Sequence, residues 1–331
     1  MTNFKTNPSR RQWLALTATV CAALSFGAQA QSTWPAKPVT LVVPFPAGGG
    51  TDAFARHLAT QLTKQLGKQI IIDNRGGAGG TLGASIAAKA APDGYTFFVG
   101  AAHHAIAPAM YPNLDYDFEK SFIPVAMIAN PPQVIVVNPK NVQVKDLKEF
   151  IELLKKNPGK YSIGSAGIGS FGHVMSEVIK TRTGTFMVHI PYRGGAQIIS
   201  DLISGQIDFA VTTLATAAAM ISSKRVKVLG VSSKERVPLV KDVATFGESQ
   251  ALKGVDMLVW AVLFAPPGTP DAVVQKMNQA IVQVNALPSM KALVLKLGSE
   301  LPPSLTPAQT REYLKAQREL YQDAASRIQP E

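Results

Sequence analysis

A chain of 331 residues, 46% hydrophobic and 17% charged, has material for two domains with separate cores. Its formal charge of +11 is scattered over polar helix faces (Lys145, Lys148, Lys155, Lys156) without interleaved aromatics, which excludes a nucleic-acid partner. The single cysteine, Cys21, lies in the N-terminal segment, which excludes a disulfide framework or thiolate metal site from the rest of the chain.

Residues 1–30 read as a cleaved export signal. Lys5, Arg10 and Arg11 form a basic head, an apolar run over residues 14–26 is too short to span a bilayer, and Ala28-Gln29-Ala30 is a small-residue cleavage site. Ser9-Arg10-Arg11 leaves the Sec and twin-arginine routes both open. Removing the head's three cations leaves a charge of +8, and no later apolar run reaches spanning length, so no membrane insertion of the mature chain is expected.

From residue 38 strands and helices alternate with short turns. A strand over residues 39–45 runs into Gly48-Gly49-Gly50; Thr51 reads as the N-cap of a helix over 52–66, and Asp52 falls at its positive end. Such a strand, glycine loop and helix start form an anion site. A strand over 69–73, a glycine loop over 74–80, a helix over 81–90 and a strand over 95–100 follow. Near-continuous apolar strands between amphipathic helices predict a mainly parallel sheet covered on both faces.

The rhythm breaks at Asn130-Pro131-Pro132. A second unit then shows strands over 134–138, 161–164, 187–192, 207–213 and 226–231, with helices over 144–156, 171–181 and 196–204. A strand over 257–264 returns to the first unit, and Thr269 and Thr306 read as N-caps of two closing helices, the last over 307–327. The expected organisation is an export signal (1–30), a first lobe (31–130), a second lobe (131–253) and a return to the first (254–331). Each lobe places a glycine loop at the carboxyl ends of its strands, where ligands bind in open α/β sheets.

Enzymatic readings find weak support. Gly167, Gly169 and Gly172 fit G-x-G-x-x-G, but the acid a dinucleotide ribose needs is missing downstream, and no Walker lysine or G-x-S-x-G elbow is present. His103 and His104 lie after a strand and can reach the cleft, but adjacent side chains point apart and no carboxylate stands at ligand spacing, so no metal site is expected. His57 and His173 read as surface residues of first helical turns, and His189 as a core histidine in an apolar strand. Arg193, after that strand, reads as a loop arginine or a carboxylate partner.

Val43-Pro-Phe-Pro-Ala-Gly-Gly-Gly-Thr-Asp52, Asn74-Arg-Gly-Gly-Ala-Gly-Gly80, Ala91-Pro-Asp-Gly-Tyr95, Tyr161-Ser-Ile-Gly-Ser-Ala-Gly-Ile-Gly-Ser170, His189-Ile-Pro-Tyr-Arg-Gly194, Asp201-Leu-Ile-Ser-Gly-Gln-Ile-Asp208 and Ala265-Pro-Pro-Gly-Thr-Pro270 occur in this order. Together they resemble the Bug family of periplasmic receptors of tripartite tricarboxylate transporters. The resemblance implies a monomeric two-lobe binding protein of the Venus-flytrap type, with no cofactor, metal or catalysis, that holds a small carboxylate and delivers it to membrane permease subunits. It assigns one ligand end to Phe45, Ala47, Gly48, Gly49, Thr51 and Asp52. The other end falls to Ser165, Gly167, Ser170, His103, His104 and Thr212. The family often carries Asn where this chain has Ile168, and Asp near Thr212 or Thr213. Their absence argues against an amino-acid ligand and for a plain di- or tricarboxylate or an aromatic carboxylate. A receptor presenting its closed form to a signalling partner is the alternative, and a secreted or nucleotide-dependent enzyme the remote one.

Overall fold

The computed structural model describes residues 34–255 and 259–325. The export signal, Met257 at the start of the expected return strand, and the last two residues of the expected final helix lie outside them. From Lys37 onward the chain forms one compact unit built on two five-stranded sheets.

The first sheet begins with β1 (Val39–Val43), whose β-branched and leucine side chains are almost wholly buried. Then come α1 (Gly50–Leu66), β2 (Ile70–Asn74), α2 (Thr81–Ala88), β3 (Thr96–Ala101), α3 (Ala102–Met110) and β4 (Ile123–Ala129). Three residues, Asn130, Pro131 and Pro132, lead into the second sheet. It comprises β5 (Gln133–Val137), α4 (Leu147–Lys156), β6 (Ser162–Ser165), α5 (Phe171–Thr183), β7 (Val188–Pro191), α6 (Gly195–Ser204), β8 (Phe209–Thr213), α7 (Leu214–Ser222) and β9 (Lys227–Val231). β10 (Ala261–Ala265) rejoins the first sheet, followed by α8 (Asp271–Ala286), α9 (Pro288–Lys296) and α10 (Pro307–Ala325).

The two sheets repeat one plan. Their orders are β2-β1-β3-β10-β4 and β7-β6-β8-β5-β9. Within the first, β1 pairs parallel with β2 and β3, while β10 runs antiparallel to both β3 and β4. Within the second, β6 pairs parallel with β7 and β8, while β5 runs antiparallel to β8 and β9. Four strands of each sheet therefore point one way. The reversed strand is in each case the one that arrives from the other sheet. The sheets are mixed, and this exchange is why.

Several boundaries differ from the sequence reading. The N-cap of α1 is Gly49 rather than Thr51. α4 starts three residues late, because Asp146 caps it through the Glu149 N–H (2.9 Å). Pro270, not Thr269, precedes the first turn of α8, and the Thr269 hydroxyl donates to the Pro266 carbonyl (2.8 Å). The Thr306–Gln309 capping box is present, with both backbone N–H groups accepted reciprocally. α3, β4, α7 and α9 were not anticipated. α7 is topologically required, since β8 and β9 are parallel and need a crossover.

The core joins the sheets to their helices. Phe98, Phe118, Phe122 and Phe264 form an aromatic cluster over the first sheet, roofed by α10. Phe150 meets Phe209 edge-on under the second sheet. α10 also reaches the second lobe, where Tyr321 packs edge-on against Phe171.

Candidate functional site

Helix starts are gathered at one place. Strands β1, β3, β6, β7 and β8 are each followed by a helix, directly after β3 and β8 and across a short loop after β1, β6 and β7, and all five helix N-termini line a single cavity between the sheets. α1 contributes Gly49, Gly50 and Thr51; α3 contributes Ala101 and His103; α5 contributes Ser170, Phe171 and Gly172. α6 adds Gly195, and α7 adds Thr213 and Thr216. The cavity is about 80 Å³, several times what one water needs. Phe45, Phe54, Ile128, Val211 and Val259 supply apolar wall, and Gln133 a polar group. Among the described residues none that lines it is Asp, Glu, Lys or Arg. Its field therefore comes from backbone N–H groups and helix dipoles, which favour an anion.

The first lip is held from behind. Gly48 needs positive φ (+90°), which glycine takes without strain. Its N–H donates to the Asp52 carboxylate (3.0 Å), which also accepts from Arg56 Nε (2.8 Å) and Asn74 Nδ2 (3.0 Å). Asn74 Nδ2 further donates to the Phe45 carbonyl (2.9 Å). Burial alone would raise the Asp52 pKa, but the hydrogen bonds from Arg56, Gly48 and Asn74 outweigh it and hold the carboxyl below its ordinary value. Asp52 is thus an ionised brace for the loop.

His103 and His104 do not point apart as expected of adjacent residues: their ring centroids lie 3.9 Å apart, although their polar surroundings differ. His104 Nδ1 lies 3.0 Å from the Ala101 N–H and 3.1 Å from the Ala101 carbonyl, and Nε2 lies 3.3 Å from the Gly80 carbonyl; the tautomer protonated on Nε2 satisfies the Ala101 N–H and the Gly80 carbonyl together. Burial pushes the His104 pKa down to about 4. His103 lines the cavity beside Phe45, 2% exposed, with neither ring nitrogen hydrogen-bonded to a protein group. Burial, then the nearby His104 ring at 3.9 Å, drives its pKa well down. It offers a ligand one N–H donor and one acceptor.

The second lip is braced by imidazoles as well. Gly169 N–H donates to His173 Nδ1 (3.1 Å), and Gly167 N–H to Ser165 Oγ (3.3 Å). Both amides that a dinucleotide phosphate would use are therefore engaged by the protein. His173 is completely buried rather than on the surface. His189 lies half-buried in the edge strand β7 rather than in a core strand. His57 sits in the second turn of α1 or beyond, not the first.

The lips touch. Gly50 N–H donates to Thr216 Oγ1 (3.0 Å), and Tyr111 Oη donates to the Ile168 carbonyl (2.7 Å). Both bonds join the first sheet's side to the second's. Of the twelve expected ligand contacts, Phe45, Gly49, Thr51, His103, Ser170 and Thr212 line the cavity. Ala47 and Gly48 are exposed on the rim, while Asp52, His104, Ser165 and Gly167 stand behind the lining. Ile168 is 38% exposed and outside the lining, so its replacement of Asn does not reshape the cavity, whereas Thr212 does face it. Sequence reasoning missed Gln133, Phe54, Phe171, Thr213 and Thr216. Only Thr213 carried a local signal: it caps α7 through the Thr216 N–H (3.1 Å). Among the described residues no group of three His, Cys, Asp or Glu side chains could hold a metal. No helix among them is long and apolar enough to cross a membrane.

Residues 54–320 match the family described as "Tripartite tricarboxylate transporter family receptor". The chain belongs to this receptor family. The periplasmic binding protein BugD is 34% identical with a TM-score of 0.83, over 88% of this chain and 98% of its own. MatC from Rhodopseudomonas palustris, solved with bound malate, is 31% identical with a TM-score of 0.84, over 88% and 100%. A second R. palustris member, solved with adipate, is 30% identical with a TM-score of 0.84, over 89% and 98%. The expected two-lobe α/β architecture is thus that of periplasmic binding proteins, with mixed rather than mainly parallel sheets.

Proposed function

We propose that the chain is an exported periplasmic receptor that captures a small carboxylate between its lobes by closure and hands it to the membrane subunits of a tripartite tricarboxylate transporter. The observation that carries this reading is the convergence of five helix N-termini on a cavity that, among the described residues, no charged side chain lines. Three of those termini belong to the second lobe and two to the first, so an anion gains its full set of donors only when the lobes meet. The malate and adipate seen in two relatives are dicarboxylates without an α-amino group. Phe45, Phe54 and Phe171 give a hydrocarbon or aromatic body somewhere to pack, and a −3 ligand would find no cation among the described lining residues to offset its desolvation.

Calorimetry against malate, adipate, citrate, benzoate and aspartate tests the reading, with X-ray scattering on any binder. A carboxylate lacking an α-amino group should bind and make the protein more compact. Binding of aspartate alone, of no carboxylate, or binding without compaction would overturn it.

A further inference from the structure

The second lip owes its shape to two histidines that touch no part of the cavity. His173, on α5, accepts the Gly169 N–H on Nδ1 (3.1 Å). Its ring stacks on His189 of β7, with centroids 4.3 Å apart and planes 18° from parallel. His189 Nε2 lies 2.6 Å from Ser165 Oγ, the same hydroxyl that accepts the Gly167 N–H. The stacked pair is therefore linked to both glycines of the loop, one directly and one through a serine. Glu177 Oε1 lies 3.8 Å from His173 Nε2, and Lys180 in turn donates to Glu177 (2.6 Å).

What the pair braces is functional surface. Between the two glycines, Ile168 presents the carbonyl that accepts from Tyr111 of the other lobe; just after them, Ser170 faces the cavity. Gly167 and Gly169 both hold positive φ (+114° and +71°), which glycine adopts without strain but which leaves the loop free to change shape; the Ser170 N–H closes the turn on the Gly167 carbonyl (3.0 Å), and the histidine pair fixes the two glycine amides. A free glycine loop samples many conformers, and ordering it on binding weakens affinity. Bracing it beforehand removes that loss.

We infer that His173 and His189 are positioning residues: through the Gly169 N–H and Ser165 they hold the second glycine loop in the shape that meets both the ligand and Tyr111. The exchange arm of the test below stands alone, and only its binding arm rests on the receptor reading. Amide exchange of the ligand-free protein is compared for wild type, His173→Leu, which removes the acceptor, and His173→Asn, whose Oδ1 can replace Nδ1. Losing one hydrogen bond of ordinary strength predicts roughly five- to tenfold faster exchange at Gly169 in His173→Leu, restored in His173→Asn. His189→Leu should speed exchange at Gly167 in the same way. Adipate titration then follows. His173→Leu should raise the adipate Kd by a similar factor and His173→Asn should not. Unchanged exchange at Gly169 in a folded His173→Leu, or equal loss in both His173 variants, overturns the inference. Failure of adipate to bind wild type counts against the receptor reading for that acid and leaves the exchange result to decide the role of the pair.

Discussion

Gly50 is the most discriminating place to perturb the cleft. It opens α1, and its φ is not in the left-handed region, so alanine fits its own helix and favours it by up to about 1 kcal/mol. Across the cleft the situation reverses. A Cβ on Gly50 would stand 2.5 Å from Thr213 Oγ1, 3.0 Å from Thr216 Oγ1 and 3.2 Å from Ala215 Cβ, all on the second lobe. Thr213 cannot swing aside freely, because its hydroxyl caps α7. Overpacking of this kind typically costs about 1–3 kcal/mol. It falls only on the state in which the lips touch, so Gly50→Ala should weaken ligand binding by about fivefold to 150-fold. The unliganded variant should melt no lower than wild type. Calorimetry with the best-binding carboxylate and a melt without ligand measure the two sides separately. Affinity within twofold of wild type, or a melting loss that matches the binding loss, would refute closure as the step the ligand drives.

Three further outcomes follow from the same geometry. Asp52→Ala removes the acceptor of the Gly48 N–H, Asn74 and Arg56, and should lower stability by about 1–2 kcal/mol in urea unfolding; Arg56 is half-exposed, so its Coulomb share is small, and an unchanged midpoint would deny Asp52 the bracing role. His104 titrates at about 4 in the fold against an ordinary 6.5, so the unfolded chain binds more protons between those values and stability falls as pH drops through that window, by about 1.4 kcal/mol per pH unit. His103 acts in the same direction, and His104→Asn should halve the slope between pH 6 and 5; a slope identical to wild type would contradict the buried, neutral assignment. Tyr111→Phe deletes one cross-lobe hydrogen bond, which predicts about two- to tenfold faster ligand release by stopped flow with the association rate unchanged; a change confined to association would rule out a latch.

The strand–helix alternation, the two glycine loops and the two crossings between sheets could be read from residue patterns, because buried strands such as Val39–Val43 and caps such as Thr306–Gln309 are written locally. The elements that escaped have physical excuses. α7 is rich in alanine and shows little amphipathic contrast, and α3 carries Pro108 inside its turns. β4 contains Pro124, which suits an edge strand but reads as a break. At the site, the lip sequences announced themselves through glycine, but their partners did not. Gln133 and Phe171 reach the cavity only because β5 crosses back between β8 and β9 and α5 follows β6, and no local pattern states that. Nor does any pattern tell that His173 is buried while His57, on another helix, is not.

A cavity that no charged side chain lines among the described residues suits a protein whose cargo must leave again. A buried guanidinium–carboxylate pair is costly to break, commonly about 3–5 kcal/mol once one partner is removed, and its strength would remain on one lobe after opening. Helix N-termini act differently: each contributes about 0.3–1 kcal/mol, falls off within a turn, and is screened as soon as water enters. With termini α1 and α3 on one side and α5, α6 and α7 on the other, the proposed opening of the lobes would divide the donors and readmit solvent in a single motion. The ionised groups near the cleft fit this economy of charge. Asp52 is paired with Arg56 behind the first lip, where it braces the loop, and Glu177 with Lys180 on the helix behind the second. On the proposed closure, a partner that separates α1 from α7 at the Gly50–Thr216 contact would divide the donors without competing for the ligand.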